Sequence, residues 1–205
     1  MLNYPVPSVP DATDGVAWLR AHVVRFSEGE THTRRRALVE AELSRVDVDS
    51  LRVGAGTPAA KLAVALGLPP SVDTDIAIVA PCYQPHTIIT AEADLAVARL
   101  VAACGGVFDE VTANRIGLLV QAHAATAALI EGRNPPVPTT RRIAPSGEVI
   151  EVDLTGRPFG EGRHACPGRM HALALAGLSE AELLQFRTVS DQVRGTASMP
   201  PGTAS

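Results

Sequence analysis

Phe159-Gly-Glu-Gly-Arg-His-Ala-Cys-Pro-Gly168 is the most informative run of this 205-residue chain. Gly160 and Gly162 allow positive φ and let the backbone approach a flat ligand closely. Cys166 precedes Pro-Gly at the expected start of a helix from about Pro167 to Ala176. Unpaired N–H groups and the helix dipole favour an anion there. That placement favours a thiolate whose charge is spread through N–H···S contacts. Arg163 and His164 add cationic or donor groups beside it. A lone Cys is ordinarily a small buried hydrophobe, but the whole ten-residue run moves the reading toward a functional sulfur.

Working outward, Val149 to Leu154 alternates apolar and acidic side chains and reads as a short half-exposed strand. Upstream, Asp109 to Ile130 is the longest periodic segment and is apolar almost all round, through Ile116, Leu118, Leu119, Val120, Ala124, Ala125, Ala127 and Leu129. Such a helix belongs in the centre of a domain, and Gly132 with Pro135-Pro136 stops it. Thr90 caps a helix that ends at Gly105-Gly106. Thr57-Pro58 opens another that stops at Gly67. Glu30 to Ser44 reads as a helix charged on one side. Asp11 to Val24 reads as a shorter one capped by Asp11 or Thr13. The stretch Asp73 to Ile89 is apolar, is broken by Pro81 and Pro85, and is the expected lining of a substrate pocket. Ser179 and Glu182 form a capping box for a last helix. Residues 1–10 are expected to be an irregular arm, and the tail from about Ser190 is expected to fray. The expectation is one mainly α domain with a small β element.

Composition narrows the class. The hydrophobic share is 46% and the aromatic share 3%, so Ala, Val and Leu build the core and few rings are left to stack on bases. A net charge of −4 argues against nucleic acid as a partner. All 18 basic residues except Lys61 are Arg, from compositional bias or because several serve as planar anion clamps. The three cysteines, Cys82, Cys104 and Cys166, are widely spaced without a CxxC, which disfavours a disulfide framework and a structural zinc site. No basic stretch followed by an apolar core opens the chain, and no apolar run is long enough to span a bilayer. A cytoplasmic protein without a membrane partner is the expectation.

The string FGEGRHACPG resembles the haem-binding loop of the cytochrome P-450 superfamily, the haem-thiolate monooxygenases. Phe159, Gly160, Gly162, His164, Cys166 and Gly168 meet its fixed positions. The resemblance implies a reduced cytochrome P-450-like helical fold around haem b. Cys166 would be the axial iron ligand and Phe159 would pack beneath the porphyrin. Other stretches resemble the same family in the right order. In Glu30-Thr-His-Thr-Arg-Arg-Arg36, His32 and Arg36 stand at i and i+4 and would bind haem propionates; seen alone, they read as a solvated basic helix face. The stretch Pro135 to Arg142 resembles a segment that supplies another propionate Arg, with Arg142 the first choice and Arg141 the second. His164 would also face the propionates. Leu118 to Thr126 resembles the helix that crosses the distal face of the haem.

Departures from the pattern bear on the reaction. The acid–alcohol pair that handles protons for dioxygen scission falls on Ala124 and Ala125. A Gly that opens the oxygen groove is Ala122, and Thr126 lies one place late, about 100° round the helix. Gln121 and His123 are the polar groups left, and with Thr126 they are the candidate catalytic residues; His123 reads equally as a helix residue bonded elsewhere. The family's Glu-x-x-Arg is missing, since Asn134 stands at that spacing from Glu131.

The resemblance implies an enzyme oxidising a small organic substrate, of monooxygenase or peroxygenase type. Electrons would come through a ferredoxin or flavin reductase docked on Arg34, Arg35, Arg157 and Arg169, or peroxide would replace them. One alternative is redox-neutral haem chemistry such as dehydration, rearrangement or N–O cleavage. Another is a non-catalytic haem sensor or helper subunit. A short chain also suggests a homo-oligomer that covers the haem.

Overall fold

The computed structural model describes residues 1–133 and 136–182. Seven α-helices and a two-stranded antiparallel sheet are present among them. The helices are α1 (Gly15–His22), α2 (Gly29–Leu43), α3 (Pro58–Ala65), α4 (Val72–Val79), α5 (Ala91–Ala103), α6 (Glu110–Ile130) and α7 (Arg169–Leu175). The strands are β1 (Thr139–Ile143) and β2 (Val149–Asp153).

Local caps set most helix starts. Thr57 Oγ1 accepts from the Ala60 N–H at 3.1 Å, with Pro58 in the first turn of α3. Thr90 Oγ1 does the same for Ala93, and Asp109 for Thr112 at the head of α6. Each satisfies a backbone donor that the helix itself cannot. At the far end of α6, Gly132 takes φ +74° and its N–H donates to Leu129 O at 3.0 Å. That is a left-handed stop suited to glycine.

The start of α1 differs from the sequence expectation. Neither Asp11 nor Thr13 caps it, and the helix begins at Gly15. The cap comes from α5, where Asp94 Oδ1 accepts from the Val16 N–H at 2.8 Å. Gly15 is required because a Cβ there would run into the Asp94 carboxylate.

As expected of its sequence, α6 is central and packs against α1, α2, α3, α4, α5 and α7. Ile116, Leu119 and Val120 join Trp18, Leu19, Leu62, Ile76, Val97 and Leu100 in the main core. At Gly117 the approach is closest: a Cβ would stand 2.9 Å from Val23 Cγ1. The 73–89 stretch belongs to this core rather than to an open pocket. Ile76, Val79, Cys82 and Tyr83 are buried in it. Pro81 ends α4 in a 3-10 turn, Ala80–Cys82. The following loop is clamped by the buried guanidinium of Arg20, which donates to the carbonyls of Cys82, Tyr83 and Thr87.

The β element is a hairpin rather than a lone strand, with Arg141 opposite Glu151 and Arg142 opposite Ile150. The arm at residues 1–10 has no regular structure but is tied down. Leu2 packs with Val152 and Leu154, and the Ile143 N–H donates to Pro5 O at 2.8 Å. The capping box forms as expected, with Ser179 N–H donating to Glu182 Oε2 and Glu182 N–H to Ser179 Oγ. The helix expected beyond it and the expected fraying tail lie outside the described residues, as do Asn134 and Pro135. Among the described residues no helix is long and apolar enough to cross a membrane.

Candidate functional site

The Cys166 loop is a series of tight turns. Gly160 N–H donates to Arg157 O at 2.9 Å, Ala165 N–H to Gly162 O at 3.0 Å, and Cys166 N–H to Phe159 O at 2.8 Å. Gly160 and Gly162 both take φ +67°, where L side chains are strained. At Gly162 a Cβ would also strike Asn3 of the arm. A helical link holds the loop from the other side: Arg36 of α2 donates through Nη1 to Ala165 O at 2.6 Å, and its Nε pairs with Glu40.

Cys166 is reachable from solvent although the loop and its neighbours crowd it. Burial pushes its thiol up; the Gly168 N–H bonded to the sulfur, and then Arg36 and Arg25, pull the other way. The free thiol is therefore not poised as a thiolate by the helix end alone. A metal ion at the sulfur would remove that proton.

His32 and His164 meet edge to face, with ring centroids 4.4 Å apart. His164 Nε2 lies 3.0 Å from Glu28 Oε1. Burial drives His164 down to about 4, against the pull of Glu28, and burial also lowers His32. Glu28 accepts from the Val6 N–H at 2.7 Å and pairs with Arg163 at 2.9 Å. Burial would raise its carboxyl, but Val6, His164 and Arg163 together hold it below the usual range.

Arg142 and Arg141 point to opposite faces of β1, as strand alternation requires. Arg142 is buried, and Arg141 is exposed beside Glu151 at 3.7 Å. The Arg142 guanidinium donates to Leu2 O, Thr140 Oγ1 and Arg141 O, and to no carboxylate among the described residues. Burial, then the positive field of Arg25, works against its charge.

Arg36 and Arg25 act on Cys166, Arg142 on His164 and Arg163 on His32, and Glu40 pairs with Arg36 and Glu28 with Arg163. Arg25 and Arg142 have no carboxylate partner among the described residues. Comparison with family models, with curated proteins and with solved structures finds no match. The chemistry of the site therefore rests on its own residues. Among those described there is no group of three or more His, Cys, Asp or Glu that could hold a metal ion. An iron held by one sulfur and the ring of a cofactor does not require such a group.

The distal candidates separate. Gln121 is half-buried, accepts from Arg25 Nη1 at 3.4 Å and donates to Gly117 O at 2.9 Å. Ala124, on the same side of α6, is exposed, and Ala125 is half-buried. His123 and Thr126 lie on another face. The His123 side chain makes no hydrogen bond among the described residues, and Thr126 is fully buried with its hydroxyl unpartnered there. Ala122 packs against the main core instead of opening a groove. Phe159 packs with Leu129 and Leu173, under the guanidinium of Arg169 at 5.6 Å. Gly168 lies over Leu43, 3.5 Å from where its Cβ would be.

The four arginines expected to form a docking patch are all engaged with carboxylates. Arg34 and Arg35 both grip Glu110 at 2.8 Å, and Arg35 is buried and donates to Ala21 O. Arg157 pairs with Glu161 and Arg169 with Glu180. An open groove of about 640 Å³ lies nearby, lined by Gly29, Glu30, His32, Thr33, Arg34 and Arg163. Cys166 and α6 do not line it. Sequence reasoning missed Arg25 and Glu28. Neither stands at a recognisable spacing, and only folding brings them to the loop.

Proposed function

We propose that the chain is a haem-thiolate protein, a reduced relative of the cytochromes P-450, that oxidises a small organic substrate. The observation that carries this reading is the charge of the corner around Cys166. Arg36 and Arg25 act on the accessible sulfur, Arg142 on His164 and Arg163 on His32, and Glu40 and Glu28 are the carboxylates paired with Arg36 and Arg163. Unpaired buried charge is costly, and the two propionates of a haem would balance the excess.

The residues fit such a group. Cys166 would hold the iron, with the Gly168 N–H steadying the sulfur. His32, Arg36, Arg142 and His164 would hold the propionate edge. Gly160 and Gly162 keep the loop backbone free of Cβ atoms. When bound, haem b supplies the redox centre for oxygen insertion. Ala124 and Ala125 of α6, exposed and half-buried, offer neither acid nor alcohol. Protons must then come from water, from peroxide or from the substrate, and Gln121 is the side chain best placed to orient them.

Those two alanines favour a second reading, redox-neutral haem chemistry, which needs no proton-handling pair. To separate the two, the apoprotein is loaded with haem and given candidate substrates under labelled oxygen. Peroxide or a ferredoxin with its flavin reductase supplies the oxidising equivalents. Label in the product supports oxidation, whereas turnover under strict anaerobiosis supports the redox-neutral reading. Failure to take up haem overturns both.

A further inference from the structure

The open groove of about 640 Å³ sits on the start of α2: Gly29, Glu30, His32, Thr33 and Arg34 line it, and Arg163 of the Cys166 loop joins them. The first bond of α2 runs from the His32 N–H to Glu28 O at 3.2 Å, so the N–H groups of Gly29 and Glu30 have no acceptor within the helix. No side chain among the described residues caps that end. Glu28, at the cap position, turns its carboxylate instead to the Val6 N–H, His164 and Arg163. Gly29 takes φ +60°, and no described residue comes within 4 Å of where its Cβ would stand, so the backbone is uncovered on that side. The same groove is lined by a buried imidazole. Only 6% of His32 is exposed, yet its ring makes no hydrogen bond among the described residues; it meets the edge of His164 with centroids 4.4 Å apart. Burying a polar ring without a partner is costly. Arg163 reaches Glu28 through Nη2 at 2.9 Å, which leaves its Nε and Nη1 without a partner there. Amides, an imidazole and guanidinium donors therefore line one groove, and Glu30 is the acidic side chain among its lining residues.

We propose that this groove binds a phosphoryl group, as free phosphate or as the phosphate ester of a small molecule, with the Gly29 and Glu30 amides, His32 and Arg163 as its donors. A helix start flanked by a guanidinium suits such an anion. Three kinds of donor are present, and the three oxygens of a phosphoryl group can meet all of them, where a carboxylate offers two. The groove is also far larger than a phosphate, which leaves room for the organic part of an ester. The inference goes beyond the haem-thiolate reading and needs neither Cys166 nor haem. The two share only His32, whose two ring nitrogens can each donate to a different anion when the ring is protonated.

Calorimetric titration of the full chain tests this, first without haem and then after haem loading. Inorganic phosphate and phenyl phosphate are the probes, at fixed ionic strength, with phenol as the control. Saturable binding of phosphate or its ester, and none of phenol, is expected. Tighter binding of phenyl phosphate assigns the groove to esters, and tighter binding of inorganic phosphate assigns it to the free ion. His32→Gln and Arg163→Gln should each weaken binding about tenfold. Glu30→Gln, at an exposed side chain, should tighten it about threefold by removing a repelling charge from the helix start; a gain of affinity cannot come from misfolding. The inference is overturned if neither probe binds, or if Arg163→Gln and Glu30→Gln both behave as the wild type. It is equally overturned if haem loading abolishes phosphate binding, because the donors would then belong to the haem. Haem uptake and its dependence on Cys166 are read apart from these titrations, so each reading fails on its own.

Discussion

The helical core and the Cys166 corner are built by opposite rules. In the core, Val16, Leu19, Ile76, Val97, Ile116 and Leu119 are fully enclosed, and its buried Arg20 is saturated by carbonyls. In the corner the apolar clusters are small, one of Leu2, Val152 and Leu154 and one of Leu129 and Leu173. Histidines are buried there at a cost to their protonation, and two guanidinium groups have no carboxylate partner among the described residues. A region built only for stability would not keep such an imbalance. Stability therefore belongs to the core, and in the proposed reading the corner's charge is met by a ligand.

The largest expected effect breaks the core. Leu119→Ala should lower unfolding free energy by about 3 kcal/mol through lost burial and a residual cavity. Cys166→Ala should change it by less than about 1 kcal/mol. Urea unfolding of the two apoproteins measures both, and equal losses would abolish the distinction.

Acid should act through the corner. His164 titrates near 4 in the folded chain, below its ordinary 6.5, so the unfolded chain takes up the proton first. Stability is therefore full above about pH 6.5 and falls by about 3 kcal/mol as pH drops to 4. The lowered His32 adds to that loss, and the lowered Glu28 extends it as pH falls further. His164→Gln should flatten most of the slope between pH 6.5 and 4, read from unfolding curves at successive pH values. An unchanged slope would place the acid sensitivity elsewhere.

At Gly117 the added methyl of Ala meets Val23, and overpacking there should cost about 2 kcal/mol, seen as a lower Tm. Arg157→Ala removes only a surface pair with Glu161. It should cost less than about 0.5 kcal/mol, below what most unfolding curves resolve.

What could be read in advance followed the range of the interaction. α3, α5 and α6 were legible because Thr57, Thr90 and Asp109 cap their own next turn. The start of α1 was not, because Asp94 reaches it from another helix. β1 was missed because Thr-Thr-Arg-Arg-Ile shows no apolar alternation and is a strand only by pairing with β2. The 73–89 stretch looked like pocket lining because its prolines interrupt it; in the fold, Arg20 gathers carbonyls from its second half, and Ile76, Val79, Cys82 and Tyr83 enter the core. At the site, Cys166 and its glycines were legible as one contiguous string, and His32 with Arg36 as neighbours on one helix face. The inward turn of Arg142 over Arg141, the pairing of Arg35 with Glu110, and the presence of Arg25 and Glu28 depended on contacts between distant segments.

The central claim is that Cys166 is the sulfur ligand of a haem iron. The most direct measurement is the carbon monoxide difference spectrum of the reduced, haem-loaded protein beside that of Cys166→Ala. The account predicts a strongly red-shifted Soret band in the wild type that is lost in the variant. An ordinary Soret position in the wild type, or the same red-shifted band in Cys166→Ala, would contradict it.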